Sequence, residues 1–338
     1  MLTSDIVEVV GPRPDLSFRM RLLSRENADV VKNILALLPL EGFLLHVVVA
    51  GETIYMPAPS VALDSRNMVE RRKGTVYYNT TSQSICFCYG AVTESTPVNQ
   101  FAQVLEEDLE HLEKLGRVVY EQTVSRQIPT IVRVTLRRHS GDDNPPPPEP
   151  KQPAKDFDGH WLTAKELIDE EITQLRRPVE PDEIRTIRLG ATRSRAGSEG
   201  SVLQTIVFLQ GFLSTLGPHV FSRLLAVSQD EDMTLPLMVR QTREFLIRTF
   251  NHFVFLVDLG LERMAGVGRM YDEALSSLRT LEEYRLLTDS VRTLVQLLYR
   301  WLHLIFPWYL KDQFASHTPD EVAGVPKLSL YGEQTETD

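Results

Sequence analysis

The sequence is poor in cysteine. Its two thiols, Cys86 and Cys88, stand one residue apart. On one extended segment they point the same way along the chain, a poor geometry for a mutual disulfide. A disulfide framework is therefore excluded, and a reducing, cytoplasmic setting is expected. Eight histidines are present, but none stands in HExxH or a similar pair, so no metal centre is expected. No GxGxxG follows a strand pattern, and neither GxxxxGK[ST] nor GxSxG occurs. The phosphate-cradling turns of dinucleotide and P-loop enzymes and the serine nucleophile elbow are thus missing. No cofactor is expected. Positive charge is also short: 36 Lys and Arg face 46 Asp and Glu, for a net charge of −10. That field opposes nucleic-acid binding. Long hydrophobic runs are absent as well. The most apolar tract, Val291 to Leu310, is broken by Arg292, Arg300 and Pro307 and reads as a buried helix rather than a membrane span. The opening MLTSDIVEVV lacks the basic and apolar regions of a secretory signal.

What is present divides the chain. With 338 residues, two domains are the natural reading. The stretch SGDDNPPPPEPKQPAKD, residues 140–156, favours extended polyproline and joins neither sheet nor helix. Before it the period is mostly two. Phe18 to Leu23, Phe43 to Val49, Glu52 to Met56, GTVYYN and SICFCYG read as strands, with a hairpin turn at Ala50-Gly51. In RQIPTIVRVTLRR, Val132, Val134 and Leu136 alternate with Arg133, Thr135 and Arg137. Two helices are expected in this half. One is capped by Ser24, and the other carries Phe101, Val104, Leu105, Leu109, Leu112 and Leu115 on one stripe and ends at Gly116. After the linker the period is helical, starting at TAKELIDEEITQL with a capping box of Thr163 and Glu166. The expected class is α+β, multidomain: a β-barrel with two helices over 1–139, the linker over 140–156, an all-α helical bundle over 157–312 and a polar tail over 313–338.

The barrel half holds most of the candidate chemistry. In SICFCYG, Ile85, Phe87 and Tyr89 share one face, and Cys86 and Cys88 the other. The thiols read as small buried hydrophobes rather than nucleophiles. Glu94 follows the strand end Tyr89-Gly90. A carboxylate there, beside aromatics, can act as a general base, although periodicity alone favours a solvated loop residue. His46, inside LLHVVV, is either a hydrogen-bonded core histidine or a proton carrier. Tyr77 and Tyr78 point to opposite faces, so one at most lines a pocket. Arg185, Arg188, Arg193 and Arg195 form the basic cluster of an acidic chain. It reads as a surface loop, or as a partner for carboxylates.

Those residues also carry a resemblance. EGFLLHVVVAGETIYMPAPS, RRKGTVYY and SICFCYGAVTES resemble the cyclophilin-like barrel, without the FHRxI and GGDF-like signatures of proline isomerases. The succession of barrel, spacer and helical bundle resembles the cucumopine/mikimopine synthase family of opine-forming enzymes. The resemblance implies an opine synthase. L-Histidine and 2-oxoglutarate would condense to an imine, and the imidazole carbon would close a ring by a Pictet–Spengler cyclisation without NAD(P)H. Such chemistry needs a proton donor and a base, for which Glu94, His46, Tyr89 and Tyr78 are the candidates. It also needs groups that meet carboxylates, for which Arg19, Arg21, Asn79, Arg188 and Arg193 are the candidates. The alternative is a non-catalytic module that binds a small carboxylated metabolite. Under either reading the partners are small molecules, with neither nucleic acid nor membrane, and the apolar bundle makes a homo-oligomer the expected state.

Overall fold

The computed structural model describes residues 6–47, 51–58, 66–79, 82–92, 96–139, 156–177, 179–191, 202–248 and 251–308, with 310 and 320. Alternating apolar residues build the walls of the N-terminal part. β1 (Ile6–Val10) buries Val7 and Val9, and β2 (Phe18–Leu22) buries Phe18, Met20 and Leu22. The next strands are β3 (Leu40–His46), β4 (Gly51–Pro57), the two-residue β5 (Met68–Val69), β6 (Thr75–Asn79), β7 (Ser84–Val92), β8 (Val98–Val104) and β9 (Val132–Arg138). β9 buries Val132, Val134 and Leu136 and turns Arg133 and Arg137 outward. The strand order is β2-β1-β9-β3-β4-β7-β6-β8, and β8 returns to β2 through Met20–Val104, Arg21–Gln103 and Leu22–Ala102. Eight strands thus close a barrel, with β5 attached to β8. Closure leaves none of the eight an open edge.

Two helices pack on the barrel core: α1 (Ala28–Ala36), through Val30, Val31 and Ile34, and α2 (Leu109–Tyr120), through Leu112, Leu115 and Val119. Several expectations need correction here. Residues 98–104 form strand β8, not helix, because their backbone pairs with β6 on one side and β2 on the other. Tertiary pairing outweighs local spacing at such a position. Helix α1 starts after Asn27, not Ser24. Helix α2 does not stop at Gly116 but runs on to Tyr120. Strand β1 answers to no strand expected from the sequence.

The C-terminal part is helical. Its elements are α3 (Trp161–Arg176), α4 (Asp182–Arg188), α5 (Val202–Thr215), α6 (Ser222–Val227), α7 (Leu235–Arg243), α8 (His252–Asp258), α9 (Arg263–Ala274) and α10 (Leu281–Ile305). The expected capping box at Thr163 and Glu166 is not the start of α3. His160 is the cap, and its ring accepts from Leu162 N at 3.3 Å. A capping box does form at Thr280 and Glu283, where it starts α10 and ends the continuous helical pattern that precedes it. The 25 residues of α10 are buried almost all round, and Leu287, Val291, Leu294 and Leu298 anchor the helical core. Among the described residues no helix is long and apolar enough to cross a membrane. The linker expected over 140–156 lies outside the described residues except for Asp156.

The two parts share a seam. Leu45, on the outer face of β3, is buried in the helical core. Phe43, two residues earlier, meets Trp301 of α10 edge-on at 6.3 Å. The guanidinium of Arg300 lies 3.9 Å from the Phe43 ring centroid. Arg300 Nη2 and Trp301 Nε1 both donate to the carbonyl of Leu175, each at 2.8 Å. The chain is an α+β, two-part structure of closed barrel and helical region.

Candidate active site

At the end of the barrel where β3 stops and β4 starts lies a cleft of about 400 Å³. Alternation along β3 sends His46 to the barrel interior, and alternation along β7 brings Tyr89 to meet it. His46 Nε2 and the Tyr89 hydroxyl are 3.0 Å apart. Tyr120, at the end of α2, closes the third side, with its ring 4.9 Å from the imidazole. Glu52, Arg117 and Glu121 complete the polar lining.

Two glycines permit this packing. A Cβ on Gly116 would overlap the ring of Tyr89, so the helix crosses the tyrosine only because that position has no side chain. This is why Gly116 sits inside α2 rather than beyond its end. A Cβ on Gly90 would overlap the carboxylate of Glu52, which accepts from Ala91 N at 2.6 Å. Gly90 therefore lets Glu52 lie against the backbone near the end of β7, which runs on past the Tyr-Gly pair to Val92.

Burial tunes the pair. His46 is 4% exposed, and loss of solvent pushes its pKa down to about 4, against a weaker upward pull from Glu52. The imidazole is therefore neutral at neutral pH. Its Nδ1 is buried with no hydrogen-bond partner among the described residues. Burial, helped by the charge of Glu52, pushes Tyr89 up to about 12 and keeps the phenol protonated. On the rim, Lys73 and Arg117 hold Glu113 down at about 2. Arg117 reaches Glu113 at 2.8 Å and Glu52 at 4.0 Å. The bundle reaches this site through His303 of α10, which interacts with His46, meets Gln210 Nε2 through Nδ1 at 3.1 Å and is pushed down to about 4 by burial.

The opposite face of β7 is a packed wall. Cys86 and Cys88 lie against Tyr77, Tyr55 and Val98. Ser84 Oγ stands 3.7 Å from Cys86 Sγ, and Thr53 Oγ1 stands 3.7 Å from Cys88 Sγ. Burial pushes Cys86 up to about 12 and raises Cys88 too, so both remain thiols. Neither is an activated nucleophile.

The residues singled out from the sequence are dispersed. His46 and Tyr89 come together in the cleft. Tyr78 is buried in the barrel core and does not line it. Asn79, the last residue of β6, accepts from Ser82 N at 3.1 Å. Arg19 is clamped by Asp108, with Nε to Oδ2 at 2.8 Å and Nη2 to Oδ1 at 3.0 Å. Arg21 is exposed on β2. Arg188 is held bidentately by Glu180 at 2.8 and 2.9 Å. Arg19 and Arg188 thus serve as structural ion pairs rather than as waiting cations. Glu94 and Arg193 lie outside the described residues. Sequence reasoning missed Glu52, Arg117 and Tyr120. The Glu52 signal was present in the Gly-Glu turn, but Arg117 and Tyr120 arrive from a helix whose extent was misjudged.

Residues 165–305 match the family model of the cucumopine synthase C-terminal helical bundle domain. McbB, solved in complex with tryptophan, superposes with a TM-score of 0.80 at 26% identity, over 91% of this chain and 100% of that one. The solution structure of the hypothetical protein AF2241 from Archaeoglobus fulgidus aligns over 40% of this chain and 95% of that one. At 14% identity and a TM-score of 0.30 it carries no weight. No curated protein matches the sequence. Residues 165–305 are thus similar to the C-terminal helical bundle of the cucumopine synthases, and the chain shares the two-part arrangement of barrel and helical region with McbB.

Proposed function

We propose that this protein is an enzyme of the Pictet–Spengler type, joining an amino acid that has a nucleophilic aromatic side chain to a 2-oxo acid. L-Histidine and 2-oxoglutarate are the proposed substrates, and cucumopine or mikimopine the product. The observation that carries the reading is a cucumopine synthase bundle on a scaffold that follows McbB along nearly the whole chain. McbB was solved with an aromatic amino acid bound, which supports a substrate of that class.

The chemistry needs protons moved and no electrons exchanged. The amine adds to the ketone, and the adduct loses water to form the imine. The imidazole carbon then attacks the imine carbon, and loss of the ring proton restores aromaticity. In the proposal Tyr89, protonated and hydrogen-bonded to a neutral imidazole, delivers the proton to the departing water. His46 then receives the proton released on rearomatisation. Glu94 is retained as a second base, since β7 ends only two residues before it. Arg117 lines the cleft with an exposed guanidinium, and in the proposal it exchanges part of its pairing with Glu113 for a substrate carboxylate.

The test is product formation by the full chain, followed by mass, from L-histidine and 2-oxoglutarate without NADH. A product lighter than the summed substrates by one water is expected. A rate no higher than the uncatalysed background would sink the proposal. His46→Gln should lower kcat by about 10²–10⁴-fold while the fold is kept.

A further inference from the structure

The seam between barrel and bundle holds buried donors that have no partner among the described residues. Arg300 is 4% exposed. Its Nη2 bonds the Leu175 carbonyl, but its Nε is buried with no partner among the described residues. The charges acting on it are Arg176, which is like-signed, and the hydroxyl of Tyr55. Burial first, and then Arg176, push the guanidinium down to about 9. Gln83 is 2% exposed and has the same deficit at Nε2. It is also the non-glycine residue with left-handed backbone among the described residues, at φ +48°. A buried donor without a partner is costly, and a strained residue persists only when its surroundings demand it.

Both residues line one small cavity of about 30 Å³. Arg176, Thr293 and Gln296 line it too, and Gln296 Oε1 is a buried acceptor that likewise has no partner among the described residues. The cavity accommodates roughly two water-sized atoms, the size of the two oxygens of a carboxylate. Arg176 also lines an adjoining groove of about 620 Å³, where Arg133 projects from β9. Glu41 is the acidic residue on both linings. Neither space shares a lining residue with the His46 cleft.

We propose that this seam binds a small dicarboxylate, with one carboxylate in the cavity against Arg300 Nε and Gln83 Nε2 and the other in the groove between Arg176 and Arg133. A guanidinium fork matches a planar carboxylate. The ligand touches barrel strands and bundle helices together, so it ties the two halves. This inference does not depend on the reaction proposed for the cleft.

Succinate is the probe, because it has two carboxylates and no ketone and so cannot enter imine chemistry. Titration calorimetry and thermal unfolding of the full chain should show succinate binding and raising Tm. Arg176→Gln and Arg133→Gln should each weaken binding by about tenfold or more. His46→Gln should leave it unchanged. Arg300→Lys should fold and also bind more weakly, because a point charge cannot reproduce the guanidinium fork. The proposal is overturned if succinate fails to bind at millimolar concentration. It is also overturned if Arg176→Gln binds as the parent does, or if inorganic phosphate binds as tightly as succinate and is indifferent to Arg133→Gln.

Discussion

The cleft and the seam are both built from buried polar groups, but they are satisfied differently. In the cleft the chain supplies an ionic or hydrogen-bonding partner for each group: His46 Nε2 has Tyr89, with Nδ1 left over, and the part-exposed Arg117 and Glu52 have Glu113 and the Ala91 amide. At the seam Arg300 is paired with a backbone carbonyl and a ring face, but with no carboxylate among the described residues. The difference teaches where a residue's partner comes from. Groups satisfied within the chain hold the architecture or stand ready for proton transfer. A buried cation left without an anion marks a place where an anion can come from outside.

That contrast can be broken at several points. The largest effect is expected from Trp301→Ala, which removes a buried indole and its bond to Leu175. Chemical denaturation should show a loss of about 3–5 kcal/mol, and a loss under 1 kcal/mol would mean that the seam is not a packed interface. Acid should strike both regions. His46 and His303 each have a folded pKa near 4, below the ordinary histidine value of 6.5. The unfolded chain therefore binds more protons between these values. Stability is full above about pH 6.5 and falls as pH drops toward 4. Replacing both histidines by Gln should flatten that slope, and an unchanged profile would remove them as its source.

Next comes Gly116→Ala. An alanine is worth up to about 1 kcal/mol more than glycine in a free helix, but here the methyl group would collide with Tyr89. A net loss of about 1–3 kcal/mol is expected, read from the denaturation midpoint. A gain would show that the tyrosine yields. Tyr89→Phe deletes the hydroxyl partner of His46 and should cost about 1 kcal/mol of stability but a far larger share of activity. Equal losses would make the hydroxyl structural. The smallest effect is expected at Arg300→Met. Exchanging a buried cation that lacks an anion for an apolar side chain should change stability by less than about 1 kcal/mol, since Trp301 still donates to Leu175 O. A loss of several kcal/mol would place Arg300 among the structural groups.

Much of the barrel was legible because alternation of period two records which side of a wall each residue takes. VRVTLRR and SICFCYG read the same way in sequence and in space. Residues 98–104 did not, since Phe101, Ala102 and Val104 fit either period and only pairing on two sides selected a strand. Strand placement singled out His46 and Tyr89, and the structure brings them within 3.0 Å of each other. Tyr78, Arg19 and Arg188 were chemically reasonable, but which atoms an arginine meets depends on contacts far along the chain. Asp108 stands 89 residues from Arg19.

By itself the sequence determined the two-part plan and the faces of the β7 strand. These follow from local periodicity and composition. Only the tertiary structure decided that Gly116 gives Tyr89 its room, that β8 closes the barrel, and that Arg300 and Gln83 share one cavity. Burial and pairing are properties of surfaces brought together, and a one-dimensional pattern does not carry them.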